Sequence, residues 1–304
     1  MAFIGISILA VLIVPSILFN DVLINQSDEI SDPIVPSQSS LASLQASTPE
    51  QNILQQQSRR RPIFGKSVSD SNKEKILESL EQNMVVVQKL IEEGNFEDGV
   101  ILLNALYEEA DRLSTEDKII LYNIYAKLLH ELEMNTDAIL VYEELISLSE
   151  VPDNIKLDAL KELGELYNKE AMYENGQFVF ERWIAESDYN DTNVFKGLSI
   201  SFYRQGQHAK ALGPAIEHVR TVQDRIEDVD RDTLVYLNGL AFSTENWVDA
   251  EWITKLMIEQ FDTPVDWRNL IAIYDRMGNE DAKNRAFDAA VAAGMIDKDG
   301  NLIR

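Results

Sequence analysis

Cysteine is absent from all 304 positions, which excludes disulfide staples, a thiol nucleophile, iron–sulfur clusters, Cys-ligated zinc and an acylated cysteine anchor. Histidine is nearly as scarce. His130, His208 and His218 are the three the chain contains, and no HExxH or His-x-His spacing brings two of them into a zinc-binding pattern. The phosphate-cradling GxGxxG and GxxxxGK[ST] patterns and the GxSxG nucleophile turn are missing as well. Positive charge is in short supply, with 27 basic against 52 acidic residues and a net charge of -25, a balance that repels a phosphate backbone and excludes nucleic acid as a partner. Asp228-x-Asp230-x-Asp232 opens like a calcium loop, yet Thr233 stands where the central glycine is needed and Gly239 where the bidentate carboxylate is needed. It reads instead as an acidic interhelical loop whose carboxylates oppose the dipole of the helix that follows. No catalytic residue, cofactor or metal is expected.

Long apolar runs are confined to one place. Phe3 to Phe19 is free of charge and dominated by Ile, Leu and Val, and as a helix rising about 1.5 Å per residue it reaches roughly 25 Å, close to one hydrocarbon core. Residues 1–24 therefore read as an uncleaved transmembrane anchor or a cleaved export signal. The missing basic flank and the lack of a small-x-small site after Phe19 weigh against cleavage. Together with the absence of cysteine, this places the body in the periplasm behind a bacterial inner membrane, either tethered or released. Residues 25–70 are rich in Ser, Gln, Asn and Pro, too polar to offset the entropy of ordering them, and read as a disordered linker. The basic run Arg59-Arg60-Arg61 within it is a solvated patch or a contact for anionic lipid.

From Ser71 the pattern is helical for more than two hundred residues, and nothing there reads as a strand longer than a few positions. A unit of thirty-odd residues recurs. Its clearest copy runs Leu160, Leu163, Gly164, Tyr167, Ala171, Gly176, Phe180, Trp183, and the next runs Phe195, Leu198, Ser199, Phe202, Gly206, Ala211, Ala215, His218. Register positions fall at Val87, Ala126, Gly164, Ser199, Asn238 and Ile271, at intervals of 39, 38, 35, 39 and 33. A small residue at Ala126, Gly164 or Ser199 lets a first helix approach its partner closely. A second one, at Ala138, Gly176, Ala211 or Ala250, is expected to accept a bulky side chain from its neighbour. Turns such as Glu93-Gly94-Asn95, Gln205-Gly206-Gln207 and Met277-Gly278-Asn279 reverse the chain. One such hairpin leaves apolar flanks on both sides, so successive copies must stack to complete a core. The expectation is an all-α, right-handed superhelical solenoid of about six helix hairpins over residues 71–296, followed by a tail at 297–304. Trp183, Trp247, Trp252 and Trp267 are expected to serve as packing residues within it.

This pattern resembles the tetratricopeptide repeat over roughly residues 75 to 293, in degenerate copies that mostly lack the usual proline. The resemblance implies a protein-binding scaffold without chemistry of its own, in which the first helix of each pair lines a concave groove. The groove residues it implies are Asn123, Lys127 and His130, then Lys161, Glu165 and Asn168, then Asn193, Lys196, Tyr203 and Arg204, then Val235 and Phe242, and finally Arg268, Asp275 and Arg276. Its lysines and arginines would bind carboxylates or backbone carbonyls of a partner segment, with Tyr203 and Phe242 as apolar anchors. A chaperone-like role on the same surface is the alternative. The last two copies, with Trp267, Arg268, Leu270, Gly294 and Met295, are similar to the end of exported tetratricopeptide proteins that accompany TonB-type energising systems, which implies an envelope complex as the setting.

Overall fold

The chain divides into two units, Met1–Thr48 and Pro49–Arg304. The computed structural model describes residues 80–303 other than 189 and 226, all in the second unit. The apolar segment 3–19 and the linker 25–70 lie outside the described residues. Among the described residues no helix is long and apolar enough to cross a membrane.

Twelve α-helices form six antiparallel pairs among the described residues. They are α1 (Leu80–Glu92) with α2 (Phe96–Glu108), α3 (Thr115–Glu131) with α4 (Asn135–Ser147), and α5 (Asp153–Lys169) with α6 (Tyr173–Glu186). Then follow α7 (Thr192–Arg204) with α8 (His208–Asp224), α9 (Arg231–Ser243) with α10 (Trp247–Phe261), and α11 (Pro264–Arg276) with α12 (Glu280–Ala292). Each helix packs on the helices before and after it in sequence, and α5 also touches α7. Packing between neighbours along the chain is what a linear stack of hairpins requires, because no hairpin can bury its flanks alone.

One turn, used six times, sets the register. The residue at its centre has positive φ in every pair: Gly94, Glu133, Ala171, Gly206, Glu245 and Gly278. Its N–H donates to the carbonyl three residues back, and the next N–H to the carbonyl five back, as in Gly206 to Tyr203 and Gln207 to Phe202, or Ala171 to Asn168 and Met172 to Tyr167. These paired bonds satisfy two orphan carbonyls at the end of each first helix. The repeat positions Val87, Ala126, Gly164, Ser199, Asn238 and Ile271 each stand seven residues before this centre, so the sequence register and the backbone turn coincide in all six copies. Three copies place a residue with a Cβ where left-handed backbone is costly for L-residues. Replacing Glu133, Ala171 and Glu245 by glycine is expected to stabilise the protein by about 0.5–1 kcal/mol per site, the greater freedom of glycine in the unfolded chain offsetting part of the gain. Thermal melts of the single and triple variants measure it, and the reverse change Gly206→Ala should lower the midpoint.

Four first helices, α3, α7, α9 and α11, begin on side-chain caps, and α5 begins after Pro152 without one. Ser114 accepts from the Asp117 N–H at 3.1 Å, Asp191 from Asn193 at 2.8 Å, and Asp230 from Thr233 at 2.8 Å. Asp230, in the acidic loop before α9, thus supplies a cap. The core is one apolar cluster threaded from Val87 to Met257 and on to Ile273. A separate small cluster of Leu270, Tyr274, Ala282 and Ala286 serves the last pair. Trp183 is buried, and Trp247 and Trp252 pack against the main core. Trp267 is half-buried, its indole N–H donating to Asp262 at 2.7 Å.

At Gly164 an added Cβ would lie 2.6 Å from the Phe180 ring, and at Gly197 it would lie closer still. Phe180, fully buried on α6, therefore passes as a wedge between α5 and α7. Gly176 departs from the sequence expectation. A Cβ there would meet Asn168 Oδ1 at 2.8 Å and Ser201 Oγ at 3.1 Å, so the space is held open for a polar bridge and not for a bulky apolar side chain.

Candidate functional site on the first helices

Measured from the turn centre, three places on α3, α5, α7, α9 and α11 carry most of the expected groove residues, while Asn193 stands thirteen before it and Arg204 and Arg276 two before it. Ten residues before it stand Asn123, Lys161, Lys196, Val235 and Arg268; six before it stand Lys127 and Glu165; three before it stand His130, Asn168, Tyr203, Phe242 and Asp275. Spacings of four and three put these on one stripe of each helix. The register positions between them face the core: Ala126, Gly164, Ser199 and Asn238 are all buried. The stripe is therefore repeated from hairpin to hairpin along the stack.

Much of this stripe is occupied in joining one first helix to the next. Lys161 is tied to Asp191 at 3.1 Å, reaching from α5 to the cap of α7. Burial works against its ammonium, but Asp191 outweighs burial and holds it above the ordinary lysine range. Asn168 donates to the Gly197 carbonyl at 2.8 Å and accepts from Ser201 at 2.7 Å, again from α5 to α7. His130 of α3 meets Glu162 of α5 at 3.0 Å. Burial pushes the Glu162 carboxyl up, and the His130 contact, with Lys161 and Lys127, more than reverses that and leaves it below its usual range. Ser199 of α7 meets the Tyr236 hydroxyl of α9 at 2.9 Å, and Arg231 of α9 grips Asp266 of α11.

The proposed anchors have partners of their own. Tyr203 stacks on His208 at 5.0 Å between ring centres and meets Tyr236 edge-on at 5.4 Å. Phe242 lies edge-on to Trp247 at 5.5 Å. Lys196 is half-buried, and burial lowers its pKa from the ordinary lysine value. Asn123 has its Oδ1 buried with no hydrogen-bond partner among the described residues. Open to solvent are Lys127, Asn193, Arg204, Val235, Arg268, Asp275 and Arg276.

Glu165 was legible in the sequence only as one facing position among many. It is half-buried on α5, and no side chain among the described residues hydrogen-bonds its carboxyl. Burial, with the Glu162 carboxylate nearby, pushes it from 4.5 up to about 7. A carboxyl whose folded pKa is raised weakens the fold once it ionises. The unfolded chain loses its proton near pH 4.5, so stability falls as pH rises from there to about 7 and is level beyond. Glu165→Gln removes that loss. Its midpoint should match the parent near pH 4.5 and exceed it at pH 8 by the equivalent of about 1–3 kcal/mol, after allowance for partial solvent screening. Melts across that range measure the difference.

His218 is buried, its Nδ1 against Thr192, and burial together with Lys196 lowers its pKa. No group of three or more His, Asp or Glu among the described residues is placed to hold a metal ion.

No family model matches the chain, and no curated protein matches it. Solved structures do. YrrB, a tetratricopeptide repeat protein with an unusual peptide-binding site, is 17% identical, with 62% of this chain and 89% of that one covered at a TM-score of 0.45. A tetratricopeptide repeat protein from Parabacteroides merdae is 12% identical, with 71% and 80% covered at 0.46. MamA from Desulfovibrio magneticus is 14% identical, with 60% and 96% covered at 0.46. The chain is thus similar, at low identity, to solved helical-repeat proteins of the tetratricopeptide type.

Proposed function

We propose that this chain is a non-enzymatic interaction scaffold that holds a segment of a partner protein along its first helices. The observation that carries this reading is the stripe repeated at the same three places on successive first helices. Polar bridges between the first helices hold α3, α5, α7, α9 and α11 in fixed relation, and Lys127 and Arg268 of the stripe, with Asn193, Arg204 and Arg276 on the same helices, are left to solvent. A rigid row of this kind keeps the entropic cost of binding low, because the receptor is ordered before the partner arrives. In this reading the stack follows a right-handed superhelical course with the stripe on its concave side. Residues 3–19 tether it to a bacterial inner membrane and the body works in the periplasm on an envelope complex. TonB-type energised transport is the narrower setting, and it rests on the resemblance of the last two repeats alone.

The test is crosslinking and co-purification of the full chain from solubilised membranes, beside a Lys127→Glu, Arg204→Glu, Arg268→Glu variant. All three side chains are exposed, so the fold should be kept, as circular dichroism would show. Recovery of the specific partner is expected to fall at least about tenfold. An unchanged set of partners would place binding elsewhere. Fractionation with N-terminal sequencing tests the tether: a mature chain beginning after residue 20 rules it out.

A further inference from the structure

One glycine of the stripe has no local reason to be there. Among the described residues six glycines lie inside helices, and five of them are accounted for where they stand. At Gly164, Gly176 and Gly197 an added Cβ would collide with a neighbour, at Gly99 it would touch Leu128, and Gly213 precedes Pro214, whose ring crowds the residue before it in a helix. Gly239 on α9 has none of these. Its φ is not positive, and among the described residues nothing lies within 4 Å of where its Cβ would be. In a helix interior only proline is a poorer choice than glycine, so what Gly239 provides is room.

That room lies on the stripe. Gly239 stands six residues before the turn centre, the place that Lys127 and Glu165 hold on α3 and α5, and at the same place α7 and α11 carry Ile200 and Ala272. Val235, one turn before Gly239, is 41% exposed. The stripe is thus charged in its first half and apolar and low in its second. Tyr203 and Phe242, the anchors expected from sequence, are already engaged with His208, Tyr236 and Trp247, and they border the bare place without filling it. The charges around it are mostly of one sign. Lys196 and Arg204 on α7 have no acidic residue beside them on that helix, and Arg268 and Arg276 lie on α11. Arg231 holds Asp266, and Lys283 holds Asp275, which leaves Asp232 and Glu245 exposed at the two ends of α9.

We propose that the bare place at Gly239 seats one large apolar side chain of the bound segment, and that acidic residues beside it in that segment meet Arg204, Arg268 and Arg276. This rests on the scaffold reading above and deepens it by naming the partner's chemistry. An apolar side chain laid over Gly239 against Val235 loses water on both sides, and a guanidinium receives a carboxylate through two parallel hydrogen bonds. In a chain of net charge -25, exposed arginines around an uncharged strip set a local field that favours an acidic segment there and nowhere else along α3 to α11 so strongly.

The test uses the detergent-solubilised full chain and three synthetic decapeptide pools, with binding read by fluorescence anisotropy. The first has a central Phe or Leu flanked by Asp and Glu, the second the same centre flanked by Lys and Arg, and the third acidic flanks around a central Gln. The first is expected to bind at least about tenfold more tightly than either of the others. Gly239→Leu fills the seat from the protein's own side and should cost that pool at least about tenfold. Its melting midpoint should not fall, since leucine is the better helix former and its Cβ meets no neighbour. Arg268→Gln with Arg276→Gln should erase the preference for acidic over basic flanks. A benzophenone at the central position of the peptide, followed by mass spectrometry, is expected to mark α7, α9 or α11. Marking of the second helices, binding untouched by Gly239→Leu, equal binding of all pools, preference for basic flanks, or no binding overturns the seat. Self-association of the chain abolished by Gly239→Leu overturns it too, a second copy being the occupant. In each case the scaffold reading stands if partner recovery still falls with Lys127→Glu, Arg204→Glu, Arg268→Glu, and it fails as well if that variant changes nothing.

Discussion

Gly197→Val is expected to destabilise the protein by about 2–4 kcal/mol, among the largest effects of any single substitution in the stack. A Cβ at Gly197 would fall inside the contact distance of the Phe180 ring, and the ring cannot retreat because Gly164 closes the other side. Overpacking of a closed site is relieved only by moving backbone or forcing a strained rotamer. The wedge also predicts the remedy. Phe180→Ala alone leaves a cavity and should cost about 3–5 kcal/mol. In the double variant the valine fills part of that cavity, so the combined loss should fall short of the sum of the two by at least about 1 kcal/mol. Chemical denaturation of the two single variants and the double variant measures the coupling. Additive losses would mean that Phe180 and Gly197 do not share a space, and the α5–α7 contact would need another explanation.

The second large effect is confined to the far end of the stack. Asp266 at the start of α11 is 1% exposed, and both guanidinium nitrogens of Arg231 donate to it at 3.1 Å. The Thr263 hydroxyl completes its shell at 2.6 Å. Arg231→Ala leaves that carboxylate buried beside a threonine hydroxyl and a helix N-terminus, a loss of about 3 kcal/mol. The last hairpin has little to set against it. Its own cluster is built on Leu270, Tyr274, Ala282 and Ala286, and two of those four are alanine. In a linear stack such a loss stays local. Amides of α11 and α12 should exchange about a hundredfold faster in the variant, while those of α3 to α8 keep their protection. Arg231→Met with Asp266→Leu removes both charges and should recover most of the loss. Uniform loss of protection along the chain would show that the hairpins unfold as one unit.

The last hairpin illustrates a further consequence of stacking. The place five residues past the turn centre, held by Gly99, Ala138, Gly176, Ala211 and Ala250 in the first five pairs, is Lys283 in the sixth. In the earlier pairs it lies beside the next first helix, as Gly99 does beside Leu128 and Gly176 beside Ser201. No seventh pair follows among the described residues, and Lys283 reaches Asp275 at 2.7 Å and Glu280 at 3.0 Å. Space for a long side chain exists there because no helix packs over that place among the described residues.

The helix-pair architecture and its register were legible because both follow from local rules. Gly94, Gly206 and Gly278 mark left-handed turns that few other residues enter cheaply, and the apolar spacing around them repeats whenever one hairpin must bury the flank of another. The other three turns, at Glu133, Ala171 and Glu245, carry no glycine and were found only through the spacing of the residues before them. The stripe was legible for the same reason, since a fixed distance from the turn fixes the face of the helix.

Sequence by itself thus determined an all-helical body, its six-fold repetition and the residues that share the outward stripe, because each depends on neighbours within about forty positions along the chain. Only the tertiary structure decided which members of that stripe are already engaged. That Lys161 answers Asp191, that Asn168 bridges to Gly197, and that Glu165 has no side-chain donor among the described residues depends on how one first helix lies beside the next. An ionisable side chain reads the same in sequence whether its partner is water or a carboxylate a hairpin away, and burial decides between them.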